Sequence, residues 1–199
     1  MSTPPDREAP ADHPIEPLLR RRWSPRSFTG APVGRAALDS LLEAARWAAS
    51  SSNQQPWHLI VARKAEEPEA FARLLGVLAP GNQAWADRAS VLMLAVARMT
   101  NPANGNPNRH AFYDTGAAMA QMALQAAALG MQLHQMGGFD AARAREAFAI
   151  PEGYDPAAAI ALGPVGVAEA LPEALAAREV APRQRRPIGD WAFFGAWRG

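Results

Sequence analysis

The sequence predicts an α+β fold with a mixed sheet, because strand-like and helix-like segments follow one another in an irregular order. Two apolar runs, "WHLIVAR" and "SVLMLAVAR", have the length and composition of buried strands. The segment "RAALDSLLEAARWAAS" places apolar residues at helical spacing. Since the 199 residues show no internal repeat and no break in composition, we expect one domain over residues 14–199.

The first half of the chain is predicted to begin with a flexible lead-in over residues 1–13, which are rich in proline and lack periodicity. The expected elements after it are a short basic helix at 15–22, an amphipathic helix at 35–50, a strand at 57–63 buried on both sides, a helix at 67–79 with Pro68 in its first turn, and a buried strand at 90–98.

The second half is predicted to start with a polar loop at 101–110 and one long helix over 111–135. Alanine, glycine and methionine occur all round this helix, so it should be buried on most sides. The elements expected after it are a short helix at 140–150, a strand at 157–163, a last helix at 171–180, and a tail with four aromatic residues, Trp191, Phe193, Phe194 and Trp197.

Composition excludes several classes of protein. The formal net charge is only +1, so a general nucleic-acid or membrane binder is not expected. There is no cysteine, which excludes disulfides, thiolate metal sites and cysteine nucleophiles. The four histidines lack metal-ligand spacing, so no metal site is expected. The N-terminus lacks the order of a secretory signal and no apolar run could span a bilayer, which predicts a cytoplasmic protein.

Two short basic segments are candidates for binding an anion. Arg22, Ser24 and Arg26 alternate in a stretch that proline keeps from being helical, so their side chains should point the same way. Arg183 and Arg185 alternate in a similar stretch near the other end of the chain. Guanidinium groups bind phosphate in a bidentate manner. The alternative for each segment is a solvated basic surface.

A polar stretch, "SSSNQQPW", lies between the second helix and the first strand. Asn53 could simply end the helix, which is the structural alternative. That alternative does not explain Ser50, Ser51 and Gln55. Many neutral donors and acceptors in one loop suit a polar heterocycle with several edges.

Glycine motifs give a weaker indication. Gly137 and Gly138 could form a turn, or let the backbone approach a flat ligand closely. The sequence contains neither GxGxxG nor GxxxxGK[ST], so a Rossmann nucleotide fold and a P-loop are not supported.

The order of these motifs resembles the FMN-dependent nitroreductase family. The segments that carry the likeness are "RRWSPRSF", "LLEAARWAASSSNQQPW", "GNQAWADRASVLML", "GGFD" and "RQRRP". The resemblance implies a mainly antiparallel central sheet flanked by helices, and a homodimer. The aromatic residues of the tail favour C-terminal arms exchanged in that dimer; the alternative is an arm folded back on its own subunit. The resemblance also implies one FMN at each end of the dimer interface, with NAD(P)H and a small-molecule electron acceptor as partners.

The resemblance also assigns the candidate binding residues. Arg22, Ser24 and Arg26 would hold the flavin phosphate and pyrimidine edge, with Trp23 between them contributing partly through its backbone. Ser50, Asn53 and Gln55 would reach the flavin of the other subunit, and Asn82 would border the ring. The backbone at Gly137 and Gly138 would face flavin N5, and Arg183 and Arg185 would bind the phosphate.

Two positions depart from the family pattern. Ala49 stands where the family usually has proline, and Trp85 stands where some members have a lysine near the pyrimidine edge. No side chain is expected to act as a nucleophile or obligatory acid, because the cofactor carries the chemistry. Two alternatives remain open: a flavin enzyme dedicated to one metabolite, and a flavin-binding protein without catalysis.

Overall fold

The computed structural model describes residues 4–198, so residues 1–3 of the predicted lead-in and Gly199 lie outside the described part. The α+β prediction is confirmed. The α-helices in the described part are α1 (Pro17–Arg21), α2 (Arg35–Arg46), α3 (Pro68–Val77), α4 (Pro80–Ala86), α5 (Ala111–Ala128), α6 (Ala141–Ala147) and α7 (Glu173–Val180). Across residues 4–198, every helix is too short or too polar to cross a membrane.

One four-stranded sheet forms the centre of the molecule. Its strands are β1 (Trp57–Arg63), β2 (Val91–Arg98), β3 (Gln132–Met136) and β4 (Tyr154–Gly163). They lie in the order β1-β2-β4-β3, and each of the three pairs is antiparallel. The order places β1 and β3 on opposite edges, about 14 Å apart at the usual strand spacing.

Helices cover both faces of the sheet. On β2, Leu92 and Leu94 pack with the cluster that includes α3 and α4, whereas Val91 and Met93 pack with α2 and α5. This alternation is the period of two that a strand requires. The prediction that β2 is buried is therefore confirmed. The same prediction for β1 is wrong, because β1 is an edge strand and only Ala62 in it is fully buried.

The predicted helix at 111–135 is wrong beyond Ala128. Gly130 has a φ of 74° and its N–H donates to the carbonyl of Ala127, at 3.2 Å. The N–H of Met131 donates to the carbonyl of Ala126, at 2.9 Å. This pair of bonds is a Schellman motif, which ends a helix at a glycine. The chain then reverses direction and forms β3. Part of the candidate site lies beside this strand.

Two further boundaries differ from the sequence prediction. Helix α2 ends at Arg46 rather than at residue 50, so the polar stretch is separated from the helix. Helix α4 is not among the predicted helices, although Pro80 occupies its first turn as helix-initiating prolines do.

The C-terminal tail lies on the surface beyond α7. After one 3₁₀ turn at Ile188–Asp190, its aromatic side chains are largely in solvent, with Phe194 90% exposed and Trp197 80% exposed. The ring of Phe193 contacts that of Trp197 edge to face, with centroids 5.2 Å apart. The tail therefore presents a large apolar surface in a single chain.

Candidate functional site

The first basic segment is extended and alternates as expected. Trp23 and Pro25 are buried, whereas Ser24 is exposed and Arg22 and Arg26 are partly exposed. Arg22 already has extended backbone angles, because α1 ends at the residue before it. The alternation thus directs the two guanidinium groups and the hydroxyl away from the core, as the sequence predicts.

Two side chains of β3 hold the backbone of this segment. The N–H of Trp23 donates to Gln132 Oε1 at 3.1 Å, and Gln132 Nε2 donates to the carbonyl of Arg21 at 3.1 Å. His134 Nδ1 bonds to the carbonyl of Pro25 at 2.8 Å. Since Gln132 and His134 are two residues apart on a strand, they share one face and reach the same segment.

His134 is neutral at physiological pH. Its pKa is lowered to about 4, mainly by burial and to a smaller extent by the positive charge of Arg26, while the hydrogen bond to Pro25 partly opposes this shift. Because a carbonyl only accepts, Nδ1 carries the proton in this neutral ring. His134 therefore acts as a hydrogen-bond donor that fixes the segment between Arg22 and Arg26.

The two basic segments meet at one cavity, as the sequence analysis expects. Arg22, Arg183 and Arg185 line a cavity of about 870 Å³, together with Trp191 and the chain at 9–13. The pKa of Arg22 lies below its ordinary value, because of burial and then because of the nearby charge of Arg185. Among residues 4–198, none of the three arginines forms an ion pair with a carboxylate. The cavity can therefore receive a multiply charged anion.

Arg183 has a different role in the structure from its two neighbours. Its terminal nitrogens donate to the carbonyls of Arg7 (2.6 Å), Arg20 (2.9 Å) and Arg22 (3.0 Å). Three of its five donors are thus used to hold backbone. Within the described residues, the side chain of Arg185 donates only to the carbonyl of its neighbour Gln184. Arg22 and Arg185 are therefore better placed than Arg183 to contact an anion directly.

A second group of predicted residues comes together after β3. Asn82 Nδ2 donates to the carbonyl of Gly138 at 2.9 Å, and the N–H of Ala79 donates to the same carbonyl at 2.9 Å. A Cβ added at Gly138 would lie 2.7 Å from Asn82 Nδ2, whereas one at Gly137 would meet open space. The lack of a side chain at Gly138 therefore lets Asn82 approach the backbone.

Trp85 is a core residue. It is 1% exposed, and its ring lies 4.7 Å from that of His134 and 6.3 Å from that of Phe28, measured between centroids. Its indole therefore fills space beneath the segment that carries Arg26 instead of facing solvent. The lysine charge that some family members have at this position is absent here.

The polar loop at 50–55 contains a cluster of backbone strain. Ser52, Asn53 and Gln55 have φ values of 50°, 52° and 46°. Non-glycine residues rarely adopt this left-handed region, and clusters of them are typical of functional sites. The N–H of Gln55 donates to Ser50 Oγ at 3.0 Å, and the N–H of Ser51 donates to Asp114 Oδ2 at 3.0 Å.

The loop at 50–55 is distant from the basic segment within one chain. The loop precedes β1, at one edge of the sheet, whereas the segment at 22–26 lies against β3, at the other edge. The predicted residues therefore form separate groups: Arg22, Arg183 and Arg185 at the large cavity, Asn82 with Gly138 beyond the end of β3, and the strained loop. Ser24 and Arg26 belong to the first basic segment but do not line the cavity.

A smaller cavity of about 420 Å³ lies between α5 and the sheet. Thr115 lines it from α5 and Gln135 from β3, the latter just before the two glycines. Thr115 is 1% exposed, and its Oγ1 finds no hydrogen-bond partner among the described residues. This cavity therefore offers one unused hydroxyl in mostly apolar surroundings.

The sequence analysis missed the polar side chains that hold the site in place. Gln132 and His134 lie in a segment predicted as helix, and Glu179 lies at the end of α7. Glu179 is 1% exposed and accepts hydrogen bonds from the backbone of Arg26 and Ser27. The segment "QLHQM" gives no clear strand signal, because the adjacent polar residues His134 and Gln135 interrupt the alternation of polar and apolar positions.

Comparison with known proteins gives consistent matches. The model of the nitroreductase family matches residues 19–164. A structure described as an oxidoreductase containing FMN is 37% identical, with a TM-score of 0.91 and full coverage of both chains. A nitroreductase family protein from Clostridium difficile 630 shares the fold, with a TM-score of 0.69 and 24% identity over 90% of this chain and 97% of its own.

A curated sequence match points the same way. An uncharacterized 15.4 kDa protein from the ask 5′ region of Mycolicibacterium smegmatis is 39% identical over 129 residues, which are 65% of this chain and 85% of that protein. The family model covers well over half of the chain, and it spans the basic segment, the strained loop, Asn82 and the glycine pair. The chain belongs to the nitroreductase family.

Proposed function

We propose that this protein is an FMN-dependent oxidoreductase that takes hydride from NAD(P)H and reduces nitroaromatic, quinone or related small-molecule acceptors. The observation that carries the proposal is the convergence of Arg22 and Arg185 on one cavity. Among residues 4–198 neither forms an ion pair with a carboxylate, including that of Asp12, which also lines the cavity. The family membership and the full-length similarity to an FMN-containing oxidoreductase support the same conclusion.

The large cavity suits the phosphate end of FMN. Its volume of about 870 Å³ is within the range of cofactor pockets. Arg22 and Arg185 contribute charge to its lining. Ser24, two residues after Arg22, lies outside the lining and would supply a hydroxyl to the flavin beside the cavity. A phosphate dianion would neutralise guanidinium groups that otherwise repel each other. Burial is the main cause of the lowered pKa of Arg22, and the charge of Arg185 is the second.

The end of β3 suits the ring system. The carbonyl of Gly138 is already held by Asn82, so the backbone there is rigid when a flat ligand approaches. Gly137 has open space at its Cβ position, which leaves room for close contact with the ring. The smaller cavity beside Gln135 lies next to this backbone and can receive the acceptor.

A dimer completes the site in this proposal. The strained loop at 50–55 is too far from its own arginines, so its polar groups serve the flavin of the second subunit. The strain fits this role, because a loop held in a rare conformation presents Ser50, Asn53 and Gln55 in fixed directions before the ligand arrives. The exposed aromatic tail, residues 191–198, exchanges with the partner.

FMN, when bound, supplies hydride acceptance and electron transfer to the second substrate. The residues of the chain bind and orient it, and Arg26 stabilises negative charge at its pyrimidine edge. Trp85 contributes no charge there. Arg26 therefore stabilises the negative charge at the pyrimidine edge without help from a lysine. Among residues 4–198, the acid that lines the larger cavity is the exposed Asp12, and the smaller cavity has no acid in its lining, so solvent supplies the protons that accompany reduction.

One cofactor site without a separate dinucleotide motif predicts ping-pong kinetics. NAD(P)H and a quinone or nitroaromatic should give parallel lines in double-reciprocal plots when both concentrations are varied. Intersecting lines, together with a ternary complex trapped by an inert nicotinamide analogue, would contradict successive use of one cavity. An acceptor panel in which a single metabolite reacts efficiently would instead favour the enzyme dedicated to one metabolite.

A further inference from the structure

Glu179 is a buried carboxylate bound to backbone. Its Oε1 accepts from the N–H of Arg26 at 2.8 Å and from that of Ser27 at 2.9 Å, and its Oε2 accepts from Arg26 at 3.0 Å. The residue is 1% exposed, and no cation among residues 4–198 pairs with it. A buried carboxylate is costly unless it is hydrogen-bonded, so this arrangement is specific.

The backbone to which Glu179 is hydrogen-bonded, at Arg26 and Ser27, is itself held in place. Ser27 Oγ donates to the carbonyl of Val167 at 2.6 Å, and the carbonyl of Ser27 accepts from the N–H of Gly166 at 2.9 Å. The N–H of Thr29 donates to the carbonyl of Pro164 at 3.0 Å. These bonds attach the chain just after Arg26 to the residues that follow β4. The position of this backbone is therefore fixed relative to the sheet.

The second basic segment starts directly after Glu179. Arg183 and Arg185 follow it by four and six residues. Within residues 4–198, no backbone hydrogen bond joins the stretch 181–186 to the rest of the chain. This stretch is therefore held by polar contacts at two points: the carboxylate of Glu179, just before it, and the guanidinium of Arg183, within it, which donates to three carbonyls.

We propose that Glu179 is a positioning residue that sets the distance between the two halves of the phosphate site. It joins the end of α7, which the stretch with Arg185 follows, to the backbone of the segment that carries Arg22. The proposal rests on the FMN function proposed above. Glu179 does not contact the cofactor itself. It affects only the binding of the FMN phosphate, which is the group that the arginines contact.

A comparison of two flavins separates this role from general stability. FMN carries the phosphate and riboflavin lacks it, so a positioning defect at the arginines should affect FMN alone. Glu179→Gln keeps the shape but replaces one acceptor oxygen by an NH₂ group that faces backbone N–H donors. Dissociation constants for both flavins are measured on the full chain by fluorescence titration, alongside Glu173→Gln, the same change at an exposed residue of α7.

We expect Glu179→Gln to weaken FMN binding about tenfold or more, and to change riboflavin binding by less than about twofold. Glu173→Gln should leave both constants unchanged. Glu179→Asp keeps the charge on a shorter side chain and should give a smaller loss for FMN alone. It provides the same comparison if Glu179→Gln does not fold.

Equal loss of both flavins, or unchanged FMN binding, in the Glu179 variants would overturn the positioning role. If the wild-type chain nevertheless binds FMN more tightly than riboflavin, either of these two results refutes only the positioning role and not the proposed function. A wild-type chain that binds riboflavin as tightly as FMN would contradict the phosphate site itself, and the positioning role with it.

Discussion

Replacing Arg22 or Arg185 by alanine is expected to weaken FMN binding by about one to two decades. A charge-assisted hydrogen bond contributes roughly 1.5–3 kcal/mol, and 1.4 kcal/mol corresponds to a factor of ten. Both arginines line the large cavity, and neither has a carboxylate partner among residues 4–198 that would compensate for the loss. The measurement is the flavin content of the purified variants after exhaustive dialysis, followed by titration with FMN.

Arg178→Ala is the matched control for this prediction. Arg178 is exposed on α7 and does not line the cavity, so the variant loses one positive charge nearby without losing a phosphate contact. It should retain its flavin. Full flavin content in both Arg22→Ala and Arg185→Ala after dialysis would refute the phosphate site. A similar loss in Arg178→Ala would mean that overall charge, and not contact, determines binding.

Removing residues 191–199 is expected to release FMN and to convert the proposed dimer into monomer or aggregate. The segment contains Trp191, 57% exposed, and Phe194, 90% exposed in a single chain. Apolar surface of this extent usually marks an interface, and a terminal arm can cover the core of a neighbour or extend its sheet. Trp191 also lines the cavity of the arginines, so loss of the arm opens the phosphate site. Size-exclusion chromatography with light scattering and the flavin absorbance provide the two readouts.

A point variant separates the effect of losing an aromatic side chain of the arm from the effect of shortening the chain. Phe194→Ala leaves the backbone intact and should weaken the dimer in the same direction. Leu129→Ala, at a 43% exposed apolar residue that follows α5, should not do so. A truncated protein that stays dimeric and keeps all its flavin would show that the arm folds back on its own subunit.

Much of the fold can be predicted from local patterns in the sequence. The seven consecutive buried residues of β2 stand out in "SVLMLAVAR", and the apolar face of α2 stands out in its spacing. The basic segments could be identified because alternating arginines held extended by proline have few structural explanations. Their convergence on one cavity supports the reasoning that joined two segments from opposite ends of a near-neutral chain.

The errors arose where one tertiary feature overrides a local pattern. "LGMQLHQ" continues a helical composition, and only the left-handed Gly130 followed by sheet pairing makes it a strand. Similarly, "WHLIVAR" is as apolar as a central strand, but its place at the edge of the sheet depends on the other three strands.

In the candidate site, too, some residues could be predicted from the sequence and others could not. Chemistry-bearing residues are visible in the sequence, whereas residues that hold backbone are not, because their partners lie far along the chain. Glu179 reaches Arg26 across 153 positions, and Gln132 reaches Trp23 across 109. Arg183 has the same residue type as Arg185, and only its three carbonyl partners reveal a structural role.

The most direct test of the central claim is the reduction of the bound flavin in the purified full-length protein without oxygen. The protein should be yellow, with flavin absorbance in the blue. NADH or NADPH alone should bleach that band before any acceptor is present, because the flavin accepts hydride in the first half-reaction. A nitroaromatic or quinone added afterwards should restore the band. A flavin that stays oxidised with both nucleotides would contradict the proposed function and indicate a flavin-binding protein without this catalysis.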